Sequence, residues 1–261
     1  MGSRTNHTNS LVALLIINMD VQVIFIVLLF AVAFLYASVG HGGASGYLAL
    51  MALFGMAPSF MKPTALLLNL FVSLSAFILF YRGGHFKWKL FLPFALASIP
   101  MSFVGGIIAL DADVYKKLLG LLLLIPVARM FFFPNVDETE LKKENIGLSI
   151  IIGGSIGFLS GLIGIGGGII LSPILLMMRW TNQKQTAAIS ALFIFVNSLS
   201  GLAGQLSNGL ELESGMMSYV AVAFCGGTIG GWLGAGKFNQ QILKYLLAIV
   251  LLVASLKLLL T

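Results

Sequence analysis

Charge is what this sequence has least of. Only 9% of its 261 residues are Asp, Glu, Lys or Arg, while 59% are apolar. Soluble domains carry about 25% charged residues, so a water-soluble globular class is excluded. Cysteine occurs once, as Cys225 within an apolar run, which rules out a disulfide framework and a thiol pair for a metal. Carboxylates number nine and sit in loops and segment ends. That leaves no intramembrane Asp/Glu relay and ranks a cation or metal transporter low. The net charge of +6 has no basic cluster with interleaved aromatics behind it, so no nucleic-acid partner is read. Nucleotide motifs are missing too. Gly231 to Lys237 has the spacing of a phosphate loop, but Phe238 stands where Ser or Thr is needed, and an apolar span precedes it rather than a strand. A primary pump and a cofactor are therefore not expected.

What is present is apolar sequence in long runs. Mean hydropathy is +1.02, and many runs approach the roughly 20 residues that cross a bilayer. The fold class read from this is all-α, a polytopic integral membrane protein. Residues 1–20 read as an N-terminal extension, with 1–10 polar and disordered. Residues 11–17 are too short to span and are interrupted by Asn18-Met19-Asp20, with Met19 an alternative start. Residues 21–133 form a first membrane repeat, with apolar segments at about 21–39, 44–56, 60–81, 88–110 and 114–133. Residues 134–145 are a polar linker. A second repeat, 146–261, has segments at about 146–163, 167–178, 185–205, 214–235 and 240–260.

The halves match at an offset of 124 to 125 residues. Val39-Gly40-His41-Gly42-Gly43 falls on Ile163-Gly164-Ile165-Gly166-Gly167, Ser73-Leu74-Ser75 on Ser198-Leu199-Ser200, Gly84 on Gly209, and Gly105-Gly106 on Gly230-Gly231. Corresponding loops differ in charge. Arg82, Lys87 and Lys89 in the first half answer to Glu211 and Glu213 in the second. Positive loops favour the cytoplasm, so the repeats read as inverted, each with five helical segments and with both termini outside; a single crossing for each glycine-broken pair would make them parallel instead.

The two glycine stretches are the candidate site. Glycine permits a helix to stop, turn and restart, and the restarting helix presents free amides and a positive dipole end to an anion. Carriers use such broken helices near the midplane. The backbone of Gly42, Gly43, Gly166, Gly167 and Gly168 is therefore read as substrate-binding, with the side chains of Asn69, Ser73, Asn197 and Ser198 beside it. The plain alternative is close packing, and it is the reading for Gly153/Gly157/Gly161 and Gly226/Gly230/Gly234, which recur every four residues. His41 is the ionisable side chain within these stretches and the proton-coupling candidate. Its counterpart is Ile165, and a neutral histidine bonded to a carbonyl is an equal alternative. Lys62 reads more readily as an interfacial lysine than as an anion ligand.

These residues resemble the TauE/SafE sulfite-exporter family over roughly residues 21–260. The resemblance rests on Gly-Leu-Ile-Gly-Ile-Gly-Gly-Gly at 161–168 with Pro173 after it, and on Phe195-Val196-Asn197-Ser198-Leu199-Ser200-Gly201. Gly-His-Gly-Gly-Ala-Ser-Gly at 40–46, Lys62-Pro63-Thr64-Ala65 and Tyr81-Arg82-Gly83-Gly84 add to it. The sequence departs from the family pattern at Ile189, where Thr is usual, and at Ala44. The resemblance implies a secondary carrier of sulfite, organosulfonates or related sulfur oxyanions in a bacterial inner membrane, in either direction. The partners are then a small anionic substrate and the lipid bilayer, with a homodimer left open. An anion channel and a carrier of another small anion, such as a carboxylate, remain alternatives. An intramembrane enzyme would need a second catalytic group beside His41 and Ser38 or Ser45, and none accompanies them, so the chain is read as no enzyme.

Overall fold

The computed structural model describes residues 3–38, 43–132, 141–234 and 240–260. Among these the chain forms α-helices and no strand, as hydrocarbon demands of a backbone whose polar groups must be satisfied internally. In order they are α1 (Ser3–Ser38), α2 (Ala44–Leu53), α3 (Pro58–Arg82), α4 (Trp88–Ile107), α5 (Ala112–Phe132), α6 (Ile146–Ile163), α7 (Gly168–Met177), α8 (Gln183–Ser207), α9 (Ser214–Gly234) and α10 (Gln240–Leu260). Five helices among the described residues are long and apolar enough to cross a membrane, and this is a multi-pass membrane protein. Exposed aliphatics such as Leu96 and Ile151 cover the surface that lipid contacts, while Ser, Asn and Thr side chains lie inside.

The expected disorder at the N-terminus is corrected. Helix α1 runs unbroken through Asn18-Met19-Asp20. No Pro or Gly occurs between residues 3 and 38, and Asn and Asp cost a helix interior only a few tenths of a kcal/mol each, roughly. The short helix expected to reach Met56 stops at Leu53. There Gly55 takes a left-handed φ of 72°, and the amide of Met56 returns to the Met51 carbonyl at 3.0 Å. This six-to-one closure is a Schellman-type ending. It recurs at the ends of α3 (Gly84, φ 72°), α7 (Arg179, φ 56°) and α8 (Gly209, φ 84°), with amide returns of 3.2, 3.1 and 3.2 Å. Gly55 and Arg179 are 124 residues apart, and Gly84 and Gly209 are 125 apart, so the sequence offset extends to the geometry of the helix ends.

Packing follows the same pairing. The most extensive contacts are α4 with α6 and α1 with α9, and α3 packs on α8 as α5 does on α10. The α4–α6 seam is made by Gly153, Gly157 and Gly161, whose Cα atoms lie against the backbone of Phe94, Ser98 and Ser102. Both series ascend together, so α4 and α6 run parallel. Gly226 and Gly230 of α9 sit on the carbonyls of Phe30 and Phe34 of α1 in the same way. The four-residue glycine spacing is thus a packing face at these positions. Helix α8 also runs parallel to α4: Ser102 Oγ donates to the Asn197 carbonyl at 2.7 Å and Asn208 Nδ2 to the Ile107 carbonyl at 3.1 Å. Helix α3 runs the other way, since Lys62 near its start reaches the carbonyls at the end of α4.

Any side chain added at the α4–α6 seam must push the facing backbones apart. Gly157→Leu is expected to cost about 3 kcal/mol by overpacking and to lower the monodisperse yield in detergent severalfold. Gly147→Leu, at an open position where a Cβ meets only Asn145 Oδ1 at 3.5 Å, is expected to leave that yield unchanged. Size-exclusion profiles of the two variants check this.

Candidate functional site

The site is built from the second glycine turn outward. Helix α6 ends as Gly164 adopts a φ of 90° and its amide bonds back to the Ser160 carbonyl at 2.7 Å. Gly166 and Gly167 then take φ values of 71° and 76°. L-residues with a Cβ enter this region at a cost of roughly 1–2 kcal/mol each, which is why the turn is glycine. Gly167 is the N-cap of α7 and offers no side chain to the first-turn amides. The amides of Gly168 and Ile169 precede the first i−4 carbonyl of the helix and are left to other partners. Residues 164–168 are all buried.

Depth follows from length. The ten residues of α7 rise about 15 Å, half of the roughly 30 Å apolar core. Its far end lies with charged residues, for the Lys142 amide donates to the Arg179 carbonyl at 2.7 Å. A helix that ends at the interface and is half the core long begins near the midplane. The two long helices present polar residues at that level. Asn69 is the twelfth of 25 residues in α3, and Ser198 the sixteenth of 25 in α8.

These elements meet. Asn69 Nδ2 lies 3.3 Å from Ser198 Oγ across the α3–α8 contact. A Cβ on Gly166 would stand 2.9 Å from Asn69 Nδ2 and 3.1 Å from Ser198 Oγ. Of the residues singled out in the sequence, Gly166, Asn69 and Ser198 therefore form one node. Gly167 packs against Phe193, Ile156 and Ser160, and Gly168 against Ile194 and the Ser190 carbonyl. Ser73 turns its hydroxyl to the Asn69 carbonyl at 2.6 Å, and Asn197 Nδ2 donates to the Phe193 carbonyl at 2.8 Å. Gly43 is the N-cap of α2 and lies against the Tyr47 ring. Gly42 and His41 lie outside the described residues.

Some buried polar atoms at the node and at the two helix starts have no partner. Among the described residues the buried side-chain atoms without a hydrogen-bond partner are Tyr47 Oη, Asn69 Oδ1, Ser160 Oγ, Asn197 Oδ1 and Gln205 Nε2. Such atoms cost roughly 1–3 kcal/mol each, and native structures keep few of them. Asn69 belongs to the node itself, while Tyr47 and Ser160 each pack against the N-cap glycine of a short helix. Gly43 and Gly167 are 124 residues apart, and beside each lies a buried hydroxyl without a partner among the described residues.

Lys62 has a larger part here than an interfacial lysine, and the hydroxyls of Tyr36, Tyr47 and Ser160 belong to the site without a signal in the sequence. Lys62 is buried, and its Nζ donates to the carbonyls of Gly106 at 3.2 Å and Ile108 at 3.3 Å. It thereby caps the negative end of α4, while its own backbone abuts Gly164. Lys62 and Asn69 share a face of α3 at i and i+7, about 10 Å apart along the axis. Tyr36 Oη lies 2.8 Å from Ser45 Oγ at the first turn. Tyr47 and Ser160 complete the set. Tyrosines flanking a glycine stretch look like packing residues until their hydroxyls are located. The chemistry assembled is that of donors and one buried ammonium. Among the described residues no cluster of His, Cys, Asp and Glu could hold a metal ion.

A sequence model of the family described as Sulfite exporter TauE/SafE matches residues 24–258. The chain belongs to the TauE/SafE sulfite exporter family. Curated relatives agree on membrane transport. A protein of Sinorhizobium fredii named "Probable membrane transporter protein y4hK" is 36% identical over 240 residues, covering 88% of this chain and 95% of that one. One of Methanocaldococcus jannaschii, "Probable membrane transporter protein MJ0441", is 30% identical over 157 residues, 58% of each chain. "Probable membrane transporter protein YunE" of Bacillus subtilis is 23% identical over 72% of this chain and 76% of its own length. No solved structure matches the chain at a significant level. Ile189 and Ala44 are packed in the interior, Ile189 fully and Ala44 nearly so.

In this family member the turn at Gly166 is both conformationally and sterically constrained. Gly209 has a φ of 84° with nothing within 4 Å of a built Cβ, so it isolates the conformational cost. Gly166→Ala is expected to destabilise the protein by about 1–3 kcal/mol more than Gly209→Ala does, the overpacking increment. Thermal unfolding in detergent measures the difference. Equal losses would mean that the turn is not packed on Asn69 and Ser198.

Proposed function

We propose that this membrane transporter is a secondary carrier of a small sulfur oxyanion, sulfite or an organosulfonate, across a bacterial inner membrane. The observation that carries the reading is the node at Gly166. There a half-length buried helix starts near the midplane, against an amide and a hydroxyl supplied by the two long helices. An oxyanion needs several donors around one small volume, and the α7 amides, Ser198 and Asn69 supply them without a full charge. Turning the Asn69 amide by 180° lets Ser198 donate to Oδ1 and frees Nδ2 for the anion. Lys62, two turns away, adds a long-range attraction that is not spent on an ion pair. Membership of a family of sulfite exporters favours sulfite among such anions.

Alternating access is read from inverted repeats. Helices α3 and α8 are counterparts at an offset of 125, and α4 runs antiparallel to the first and parallel to the second. Counterpart helices of opposite direction support an inverted relation, as do the reciprocal α4–α6 and α1–α9 seams. Transport then proceeds by one repeat rocking against the other around the central node. In proton-coupled operation His41, beside the first turn in sequence, is the proton carrier.

Reconstitution tests the reading. Proteoliposomes with the wild-type chain are expected to take up labelled sulfite saturably and to show counterflow, which a passive channel lacks. Asn69→Ala, with unchanged yield, is expected to reduce that flux at least tenfold, the effect of losing about 1.4 kcal/mol or more of site stabilisation. His41→Ala is expected to abolish proton-driven accumulation and keep exchange. Uptake of a carboxylate with none of sulfite or taurine would overturn the substrate assignment. For topology, single cysteines at 87 and 208 in a Cys225→Ser background are expected to label from opposite faces. Labelling from one face would sink the inverted arrangement.

A further inference from the structure

A second polar feature lies away from the node. At the start of α4 a cavity of about 350 Å³ is lined by Lys87, Lys89, Lys142, Glu144, Trp88 and Trp180, with Leu90 and Leu141 at its apolar edge. Its volume falls within the roughly 300–1,000 Å³ of small-molecule sites. Three lysines face one carboxylate, and among the described residues none of the three takes part in an ion pair. Lys87 is also the N-cap of α4 and makes no side-chain cap bond, so the first-turn amides of a 20-residue helix open toward the same place. Two tryptophans mark the level as the membrane interface, and the lysine excess of these loops marks it as the cytoplasmic one.

Leu90 and Leu141 give the cavity an apolar side. On the α4–α6 contact Gly154 has no side chain, and a Cβ there would meet only Ala97 and Met101 at 3.7 Å. Such a notch among lipid-facing residues can serve as a trough for a hydrocarbon chain. Ile150, one turn above Gly154, is 47% exposed, and Met101 is 37% exposed. A cationic cup at headgroup depth above an aliphatic trough fits a molecule with a phosphate at one end and a hydrocarbon chain at the other. A free oxyanion would use only the cup.

We infer that the Lys87/Lys89/Lys142 cavity binds the phosphate headgroup of an anionic phospholipid of the cytoplasmic leaflet, with an acyl chain along the α4–α6 trough. This site is independent of the substrate proposed above. Occupancy braces the α3–α4 loop, residues 141–144 and the α7–α8 loop, which all meet there.

The test is lipid binding to the purified full-length chain, read by native mass spectrometry with phosphatidylglycerol and with phosphatidylcholine. Wild type is expected to retain phosphatidylglycerol preferentially. The combined Lys87→Gln, Lys89→Gln and Lys142→Gln variant is expected to bind it on the order of a hundredfold more weakly, as about 1 kcal/mol per interfacial lysine implies. Gly154→Leu fills the trough without a clash and is expected to weaken lipid binding while leaving the lysines in place, which keeps the test open should the triple variant misfold. Inorganic phosphate at millimolar concentration forms the third arm. Unchanged phosphatidylglycerol retention in both variants overturns the site, and displacement of the lipid by phosphate alone identifies a free-anion cup instead.

Discussion

The constraint on which this structure depends is the backbone amide in hydrocarbon. Left without a partner it costs several kcal/mol, roughly, so a chain may interrupt a helix within the membrane only where protein or a polar ligand covers the break. This chain interrupts its helices in each half and covers the second break with buried side chains from three helices. The turn at Gly164 to Gly167 is enclosed by Lys62 and Asn69 from α3, Phe193, Ile194 and Ser198 from α8, and Ile156 and Ser160 from its own helix. Tyr115 Oη donates to the Ile163 carbonyl at 2.8 Å and Ser172 Oγ to that of Gly168 at 2.8 Å, while Asn69 Oδ1 and Ser160 Oγ are buried beside the break without a partner among the described residues.

That enclosure needs helices closer together than ordinary side chains allow. The seam between α4 and α6 lets backbone touch backbone, and it brings Ser102 within 2.7 Å of the Asn197 carbonyl on α8. Gly106 and Gly201 meet in the same layer. Lys62 then links this layer to the turn, with its ammonium on the last carbonyls of α4 and its backbone on Gly164. Small residues in the seam, the capping lysine and the left-handed turn are thus one device. Close packing holds α4 and α6 together, α4 presents carbonyls that hold Lys62, and Lys62 holds the face of α3 that carries Asn69.

The fold was largely legible because its signals are local. Apolar run length gives spans, and glycine and proline punctuate them, so the bounds of α4, α6, α7 and α10 fall within a few residues of expectation. The 124-residue offset was visible in glycine and serine positions, and it reappears in helix endings that no spacing rule reveals, Arg179 standing where Gly55 does. The N-terminal helix is hard to read because polar composition at residues 1–10 points to disorder or an extension, although nothing in residues 3–38 interrupts a helix. The site was only partly legible. Gly166, Asn69 and Ser198 were named from polarity at membrane depth, but which of four candidate polar side chains converge is a matter of helix rotation. Asn197 and Ser198 are neighbours in sequence and about 100° apart on the helix, and it is Ser198 that reaches Asn69. Lys62 was undervalued because a lysine near the head of a span usually snorkels, and sequence does not show that a neighbouring helix ends at its tip.

The two halves share a scaffold and differ in chemistry, and the difference bears on how a carrier of this build would work. Gly167 caps its short helix with a φ of 76°, whereas Gly43, its counterpart, has a φ of −74°. The second turn has small polar groups, Ser160 and the Asn69–Ser198 pair, among its larger apolar neighbours, whereas beside the start of α2 lie two buried phenols, Tyr36 and Tyr47. A perfectly two-fold site would bind an anion equally from both turns and would have no reason to prefer either face. Here the second turn has left-handed glycines and the nearby ammonium of Lys62, while the first offers bulky hydroxyls and, in sequence, a histidine opposite Ile165. On the proposed reading the second repeat therefore supplies the electrostatic component of anion binding. The first supplies shape and the group able to change charge near neutral pH. Such a division lets one half hold the substrate while the other senses the proton, which identical halves could not do.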